Sequence, residues 1–67
     1  MEVFVNNEMQ KISSGSSIHA LLQQIKMEEH SGIAIAVNEQ VIPKVHWASH
    51  ELQESDKVII IQATAGG

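Results

Sequence analysis

The sequence predicts an α+β fold in which a mixed sheet of four or five strands packs against one main helix. Three observations lead to this fold class. Sixty-seven residues allow one small domain and no second one. Short apolar segments, alternating or continuous, are separated by turn signals. One segment alone has the apolar spacing of an amphipathic helix.

The chain opens with a predicted β-hairpin. Residues 1–6 alternate in polarity, with Val3 and Val5 on the same side of the strand. Residues 6–7 are both asparagine, which is a turn signal because asparagine tolerates a positive φ. Residues 8–12 then supply the partner strand.

The helix follows a serine-rich loop at residues 13–16. Its apolar positions repeat at the spacing of one helix face, and they are Ile18, Leu21, Leu22 and Ile25. Ser17 or Ser16 is expected to cap the N-terminus by accepting a hydrogen bond from a first-turn amide. Lys26 is expected near the C-terminus, where its charge complements the helix dipole. The helix is predicted to end within the polar stretch of residues 27–32, which finishes in glycine.

Two further strands joined by a tight turn are predicted next. In residues 32–37 isoleucine and valine alternate with alanine, so Ala34 and Ala36 share one face of a strand. Residues 38–39 form the turn. Residues 40–42 form a short strand that returns along the first.

The remainder of the chain returns to the sheet. Pro43 ends the short strand, because proline cannot donate a hydrogen bond to a ladder. Residues 44–50 are predicted to form one helical turn in which Trp47 pins the turn to the core. A turn at residues 54–56 then leads into the last strand, residues 57–62.

These elements combine into a β-grasp arrangement. A chain that leaves a hairpin, crosses over a helix and returns beside its first strand makes a right-handed crossover. The first and last strands then lie side by side in the centre of the sheet. The single helix covers one face of that sheet.

The face of the sheet opposite the helix, here termed the outer face, is predicted to expose apolar side chains. Residues 58–61 are apolar in succession, so this strand presents apolar residues to both faces. If the side chains of Val3, Val5, Val58 and Ile60 face the helix, the following face outward: Phe4, Ile59 and Ile61, with Ala34 or Ala36. Such a patch often marks an interface. The alternative is that strand propensity alone explains the isoleucines, since scattered surface apolar residues are common.

The composition argues against several classes of function. Four lysines, no arginine and eight acidic residues give a net charge of −4, so few groups are available to neutralise phosphates, and no nucleic-acid partner is expected. The absence of cysteine excludes disulfides, thiolate metal sites and a cysteine nucleophile. His46 and His50 have helical spacing, but only Glu51 or Glu54 offers a further ligand, so no metal site is predicted. No nucleophile–base pair is visible, so an enzyme with its own catalytic site is not expected.

The same features predict where the protein works. No apolar run is long enough to cross a membrane. The N-terminus lacks the basic region of a signal peptide. We therefore expect a cytoplasmic protein with no membrane partner that is a monomer when free.

The last five residues, 63–67, are predicted to form a flexible tail outside a domain of residues 1–62. None of them has a long side chain, and fully extended they reach about 16–18 Å. Such a tail can enter a narrow channel of another protein, and glycine permits close backbone approach. The reactive group would be the Gly67 carboxylate: adenylation supplies a leaving group, and a sulfur nucleophile that displaces AMP leaves a thiocarboxylate. The alternative is a frayed terminus without function.

Six segments together match a known pattern. They are Val5-Asn6, Gly15-x-Ser17-Ile18-x-x-Leu21-Leu22, Ala34-Ile35-Ala36-Val37-Asn38, Val41-Ile42-Pro43-Lys44-x-x-Trp47-Ala48, Asp56-x-Val58-x-Ile60 and Gly66-Gly67. With them, nearly the whole chain resembles the family of bacterial sulfur carrier proteins of thiamine biosynthesis, which are ubiquitin-like β-grasp proteins. The most specific part is the stretch from Asn38 to Ala48 combined with a free diglycine.

The resemblance implies partners and a mechanism. An ATP-dependent adenylating enzyme, related to ubiquitin-activating enzymes, would activate Gly67, so ATP would be used by the partner and no cofactor bound by this chain. A cysteine desulfurase relay would supply the sulfur, and thiazole synthase would receive it for the thiazole ring of thiamine. The chain would be a substrate rather than an enzyme. Gly66 and Ala65 would complete the tail, and the docking residues would be Phe4, Ile59 and Ile61.

Three positions depart from the family pattern. Asn7, Glu39 and Ser55 stand where glycine is common, which leaves the local turn types open. The residues also leave two other functions open. One is a molybdopterin-synthase small subunit or another ubiquitin-like sulfur carrier or modifier. The other is a non-covalent β-grasp interaction module that does not use its terminus.

Overall fold

A computed structural model describes residues 1–27 and 32–62 of the chain. The predictions for the tail, including Ala65, Gly66 and Gly67, lie outside the described residues. The elements, in chain order, are β1 (Glu2–Val5), β2 (Glu8–Lys11), α1 (Ile18–Gln24), β3 (Ile33–Val37), β4 (Gln40–Val41), a 3₁₀ turn (Lys44–His46) and β5 (Lys57–Gln62).

The strands form one mixed five-stranded sheet. Their order is β2-β1-β5-β3-β4, with β1 parallel to β5 and the other neighbouring pairs antiparallel. The first and last strands are therefore adjacent, and β5 is central. The predicted fold class and β-grasp topology are confirmed.

The core lies between the sheet and α1. Val3 and Val58 are fully buried, and Val5 and Ile60 are each 8% exposed, so the predicted strand parity is correct. The helix contributes three buried residues, Ile18, Leu21 and Leu22. Trp47 is 7% exposed, and its Nε1 donates a hydrogen bond of 2.8 Å to the Ile42 carbonyl, which confirms that it pins the 3₁₀ turn to the core.

Two hairpins turn through residues in the left-handed region. Asn6 and Asn7 have φ of 50° and 70°, and Asn38 and Glu39 have φ of 49° and 71°. Positive φ at both central residues is the signature of a type I′ turn, whose twist matches that of the flanking strands. Ser55 also has a positive φ, of 68°. Asn7, Glu39 and Ser55, which stand where the resemblance leads us to expect glycine, thus adopt a backbone conformation that glycine favours.

Replacing Glu39 by glycine is expected to stabilise the fold. A non-glycine residue in the left-handed region costs roughly 1–2 kcal/mol, whereas glycine costs about 0.5–1 kcal/mol in chain entropy. Glu39→Gly should therefore raise the free energy of unfolding by about 0.5–1 kcal/mol, measured by urea denaturation. Gln40→Gly is the matched control. Gln40 lies in strand β4, where glycine is unfavourable, so this variant should be less stable than the wild type. If Glu39→Gly were less stable than the wild type, the backbone of Glu39 would not be strained.

The start of α1 is closed by the surrounding chain. Ser17 is the N-cap: its Oγ accepts a hydrogen bond of 3.1 Å from the Ala20 amide, as predicted. The amides of Ile18 and His19 donate to carbonyls of the segment that follows the 3₁₀ turn, at 3.1 Å each. These first-turn amides therefore have hydrogen-bond partners within the protein. The serine-rich loop serves to cap the helix.

The end of α1 differs from the prediction. The last helical residue is Gln24, several residues before the predicted stretch 27–32, and Lys26 lies beyond the helix with φ of 62°. The Lys26 amide donates to the Gln23 carbonyl (3.1 Å) and the Met27 amide to the Leu22 carbonyl (2.8 Å). This pair of bonds is a Schellman motif, and Met27 packs against the core. The chain thus leaves the helix through Lys26 in the left-handed conformation, at a position that usually holds glycine.

The helix is also too short for a membrane. Within the described ranges, no helix has the length and hydropathy needed to cross a bilayer.

Candidate functional site

The outer face of the sheet carries the predicted apolar residues. Ile59 is 39% exposed and Ile61 is 61% exposed, although both belong to the central strand β5. Phe4 is half-buried on β1, and Ala34 is exposed on β3, with Ala36 half-buried beside it. The structure therefore brings Phe4, Ile59 and Ile61 onto one surface, as the strand parity predicts.

Strand register makes this surface continuous. Ala36 pairs with Ile59 and Ala34 with Ile61 across β3 and β5. Small alanines next to isoleucines leave the isoleucine side chains accessible from the side. On the other flank of β5, Phe4 pairs with Lys57.

Two further apolar residues belong to the outer face and were not predicted from sequence. Met9 is 51% exposed and pairs with Phe4, and Val41 is 70% exposed and pairs with Ala36. Each follows from the two-residue turn of its hairpin, which fixes the register and therefore the face. With them the apolar surface reaches all five strands.

A groove lies on the outer face at the start of β5, between the β1–β2 and β3–β4 turns. Its lining is apolar at Phe4 and Ile59 and polar or charged at the turn residues and Lys57. The lining residues are Phe4, Asn7, Asn38, Glu39, Lys57, Val58 and Ile59. An apolar centre within a polar rim is the usual anatomy of a protein–protein interface. The groove can accept an apolar side chain from a partner while Lys57 and Glu39 offer charges of both signs at its edge.

The first residue of β5 is fixed by a side-chain network at that rim. The Asp56 carboxylate, 7% exposed, accepts hydrogen bonds from the Asn38 side-chain amide and from the Gln53 backbone amide, each of 2.8 Å. The Lys57 amide in turn donates to the Asn38 Oδ1, at 3.0 Å. This network joins the β3–β4 turn to the start of β5, so the groove has a rigid edge.

The central strand of the outer face, β5, is followed in sequence by the residues of the predicted tail. Ile59 and Ile61 belong to β5, which ends at Gln62, and residues 63–67 follow directly in sequence. A partner that grips the outer face therefore holds the strand from which the tail departs. Ala65, Gly66 and Gly67 themselves lie outside the described residues.

The histidines do not gather into a metal site in the part of the chain that the structure describes. No group of three or more His, Cys, Asp or Glu side chains is placed there to hold a metal ion. His46 and His50 lie on one turn, where the His50 amide donates to the His46 carbonyl at 2.9 Å.

The chain is similar to known proteins along its whole length. The model of the ThiS family matches residues 3–67. The sulfur carrier protein ThiS of Escherichia coli (strain K12) is 33% identical over 67 residues, which are 100% of each chain. A crystal structure of the thiamine biosynthesis protein (ThiS) from Geobacter metallireducens has a TM-score of 0.84 at 17% identity and covers 100% of both chains. An NMR structure of a thiamine biosynthesis protein from the same organism has a TM-score of 0.78 at 17% identity, over 100% of this chain and 88% of that one.

Proposed function

The chain belongs to the ThiS family, and we propose that it carries sulfur as a thiocarboxylate on Gly67. It is a sulfur carrier protein of thiamine biosynthesis, a small protein that works with the enzymes of that pathway and is not itself a catalyst. The proposal concerns how the sulfur is held and which enzymes handle the carrier.

The observation that carries the proposal is the extent of the family match. The match runs to residue 67, so the Gly66-Gly67 pair lies inside the region shared with the family. The Escherichia coli carrier aligns over its full length as well. We assign the reactive group to the terminal carboxylate of Gly67, the last residue of the matched region.

The chemistry of a carboxylate sets the order of steps. A free carboxylate is a poor electrophile, because its leaving group would be oxide. Attack of the Gly67 carboxylate on the α-phosphate of ATP forms an acyl-adenylate and releases pyrophosphate. Hydrosulfide then adds to the acyl carbon and AMP departs, which leaves the thiocarboxylate. A persulfide from a relay adds in the same way and gives an acyl disulfide, which a thiol reductant then cleaves to the thiocarboxylate. We assign these steps to the cytoplasm, because they consume ATP.

Three enzymes complete the proposed cycle. An ATP-dependent adenylating enzyme performs the activation and binds the ATP, so the carrier needs no cofactor of its own. A relay that begins with cysteine desulfurase supplies the sulfur, and thiazole synthase accepts it for the thiazole ring. The outer face, with Phe4, Ile59 and Ile61, is the surface on which the adenylating enzyme docks. Its apolar groove and its place on the strand that leads to the tail support this assignment.

Intact-mass measurement tests the proposal. The full-length chain, ATP, a sulfide source and the cognate adenylating enzyme are incubated together, and the product is weighed. The expected product is heavier by the difference between sulfur and oxygen, and fragmentation should place that change on Gly67. Omission of sulfide should leave the adenylate, and omission of ATP should leave the chain unchanged.

Two results would overturn the proposal. One is sulfur attached at any residue other than Gly67. The other is a chain that the cognate adenylating enzyme leaves unmodified although the same enzyme preparation modifies the Escherichia coli carrier.

A further inference from the structure

Glu39 has an unusual backbone conformation for a glutamate. Its φ of 71° lies in the left-handed region, which glycine adopts freely and which residues with a Cβ atom adopt only with strain. Strained residues are frequent at binding and active sites. Strain alone does not mark a site, because Lys26 and Ser55 share it elsewhere in the fold. What distinguishes Glu39 from them is its position on the outer face.

The other central residue of the same turn, Asn38, has a clear role within the fold. Asn38 Nδ2 donates a hydrogen bond of 2.8 Å to the Asp56 carboxylate, and Asn38 Oδ1 accepts one of 3.0 Å from the Lys57 amide. These bonds tie the β3–β4 turn to the start of β5 through the side chain of Asn38, whereas the neighbouring Glu39 is exposed. The carboxylate of Glu39 is therefore accessible to a partner.

Glu39 lines the groove at the start of β5. Lys57 lines the same groove, together with the apolar residues Phe4 and Ile59. A negative and a positive side chain therefore stand beside one apolar surface. The bonds of Asn38 fix the turn to the backbone of Lys57, so both charged side chains start from backbone positions that are held relative to each other.

We propose that Glu39 determines specificity by pairing its carboxylate with a basic side chain, arginine or lysine, of the adenylating enzyme. The chain has a net charge of −4, which favours encounter with a basic surface. A cation placed beside Lys57 would meet a like charge in the same groove. The basic group of the enzyme must therefore meet the groove at Glu39, which fixes the orientation of docking. This inference rests on the proposed function, in which the outer face binds that enzyme.

A binding role explains why a strained glutamate is retained in the turn. Glu39→Gly should stabilise the free carrier, as argued above, but it removes the carboxylate. We expect this variant to bind the adenylating enzyme about fivefold more weakly, which is the upper range for one exposed ion pair. A carrier that is more stable and yet binds less tightly separates the binding role of Glu39 from any role in folding.

Glu39→Gln tests the charge alone. It keeps the length of the side chain and replaces the carboxylate by a neutral amide. Calorimetric titration without ATP gives the Kd for the cognate adenylating enzyme at about 0.05 M and at about 0.5 M salt. We expect a Kd about fivefold above that of the wild type at low salt and within about twofold of it at high salt, because salt screens an exposed ion pair. The urea midpoint should equal that of the wild type.

Glu51→Gln is the matched control. Glu51 is exposed, like Glu39, and the substitution changes the net charge by the same amount. Glu51 forms a bridge with Ser17, the N-cap of α1, which places it on the helix side of the sheet and away from the groove. Its Kd should stay within about twofold of the wild type at both salt concentrations.

Three results would overturn the inference. One is a Glu39→Gln variant that binds as tightly as the wild type at low salt, since no basic group would then meet Glu39. Another is an equal loss for Glu39→Gln and Glu51→Gln, which would assign the effect to net charge. The third is a loss that is the same at both salt concentrations, because an exposed ion pair would be screened. A wild-type chain that does not bind the adenylating enzyme at all would instead refute the proposed function.

Discussion

Deletion of Gly67 is expected to abolish ATP-dependent activation while leaving the β-grasp domain folded. The deletion moves the terminal carboxylate back by about 3.3–3.6 Å along an extended tail, and a much smaller displacement of a reacting group already costs about 10²-fold. Among the residues that the structure describes, the buried core runs from Val3 to Ile60, so the deletion removes none of these side chains. ATP–pyrophosphate exchange measures the activation, and urea denaturation measures the stability.

The matched control is Gly67→Ala, which keeps the chain length and the terminal carboxylate and adds one methyl group. It should retain part of the activity, whereas the deletion should retain none above background. Both variants should have the urea midpoint of the wild type. A deleted chain that is still activated would refute the role of Gly67, because the reacting carboxylate would then not need to stand at residue 67.

Much of the fold follows from local patterns in the sequence. The alternation around Val3 and Val5 and the four apolar residues that end in Ile61 fix which strand faces meet the helix, and the burial of Val58 agrees. Asparagine at positions 6 and 38 predicts two tight hairpin turns, and both occur there. These predictions succeed because period-two polarity and turn chemistry act over a few residues.

The end of α1 shows where local patterns fail. The glycine that ends the polar stretch, Gly32, suggests that the helix stops later than it does. The observed stop depends on Lys26 in a left-handed conformation, which lysine does not signal. Met27, which follows Lys26 in the Schellman motif, packs against the core. Tertiary packing therefore decides where the helix ends.

Some residues of the candidate site can be predicted from local sequence patterns, and others cannot. Phe4, Ile59 and Ile61 are predictable, because parity along a strand assigns each side chain to a face. Met9 and Val41 require the hairpin registers as well, which two-residue turns supply once they are recognised. The hydrogen bonds between the Asn6 side chain and the Ile60 backbone join residues 54 positions apart. No local pattern in either segment predicts them.

Replacing Ile61 by glutamate is expected to weaken docking to the adenylating enzyme by about 100-fold. Ile61 is 61% exposed in the free chain, so the substitution should change the free energy of unfolding by no more than about 0.5 kcal/mol. In the complex, the same position would bury a carboxylate without a partner charge, and a loss of about 2.7 kcal/mol corresponds to the 100-fold change. The measurement is the Kd for the adenylating enzyme without ATP, by calorimetry.

Val45→Glu is the matched control, which adds the same charge away from the outer face. Val45 is 83% exposed, more than Ile61, and undergoes the same change from an apolar side chain to a carboxylate. It lies on the 3₁₀ turn, whose following segment is hydrogen-bonded to the first turn of α1 on the opposite side of the sheet. Its Kd should stay within about twofold of the wild type, since exposed charges away from an interface contribute little. Equal losses for the two variants would mean that net charge alone weakens the encounter, and the outer face would then not be where the adenylating enzyme binds.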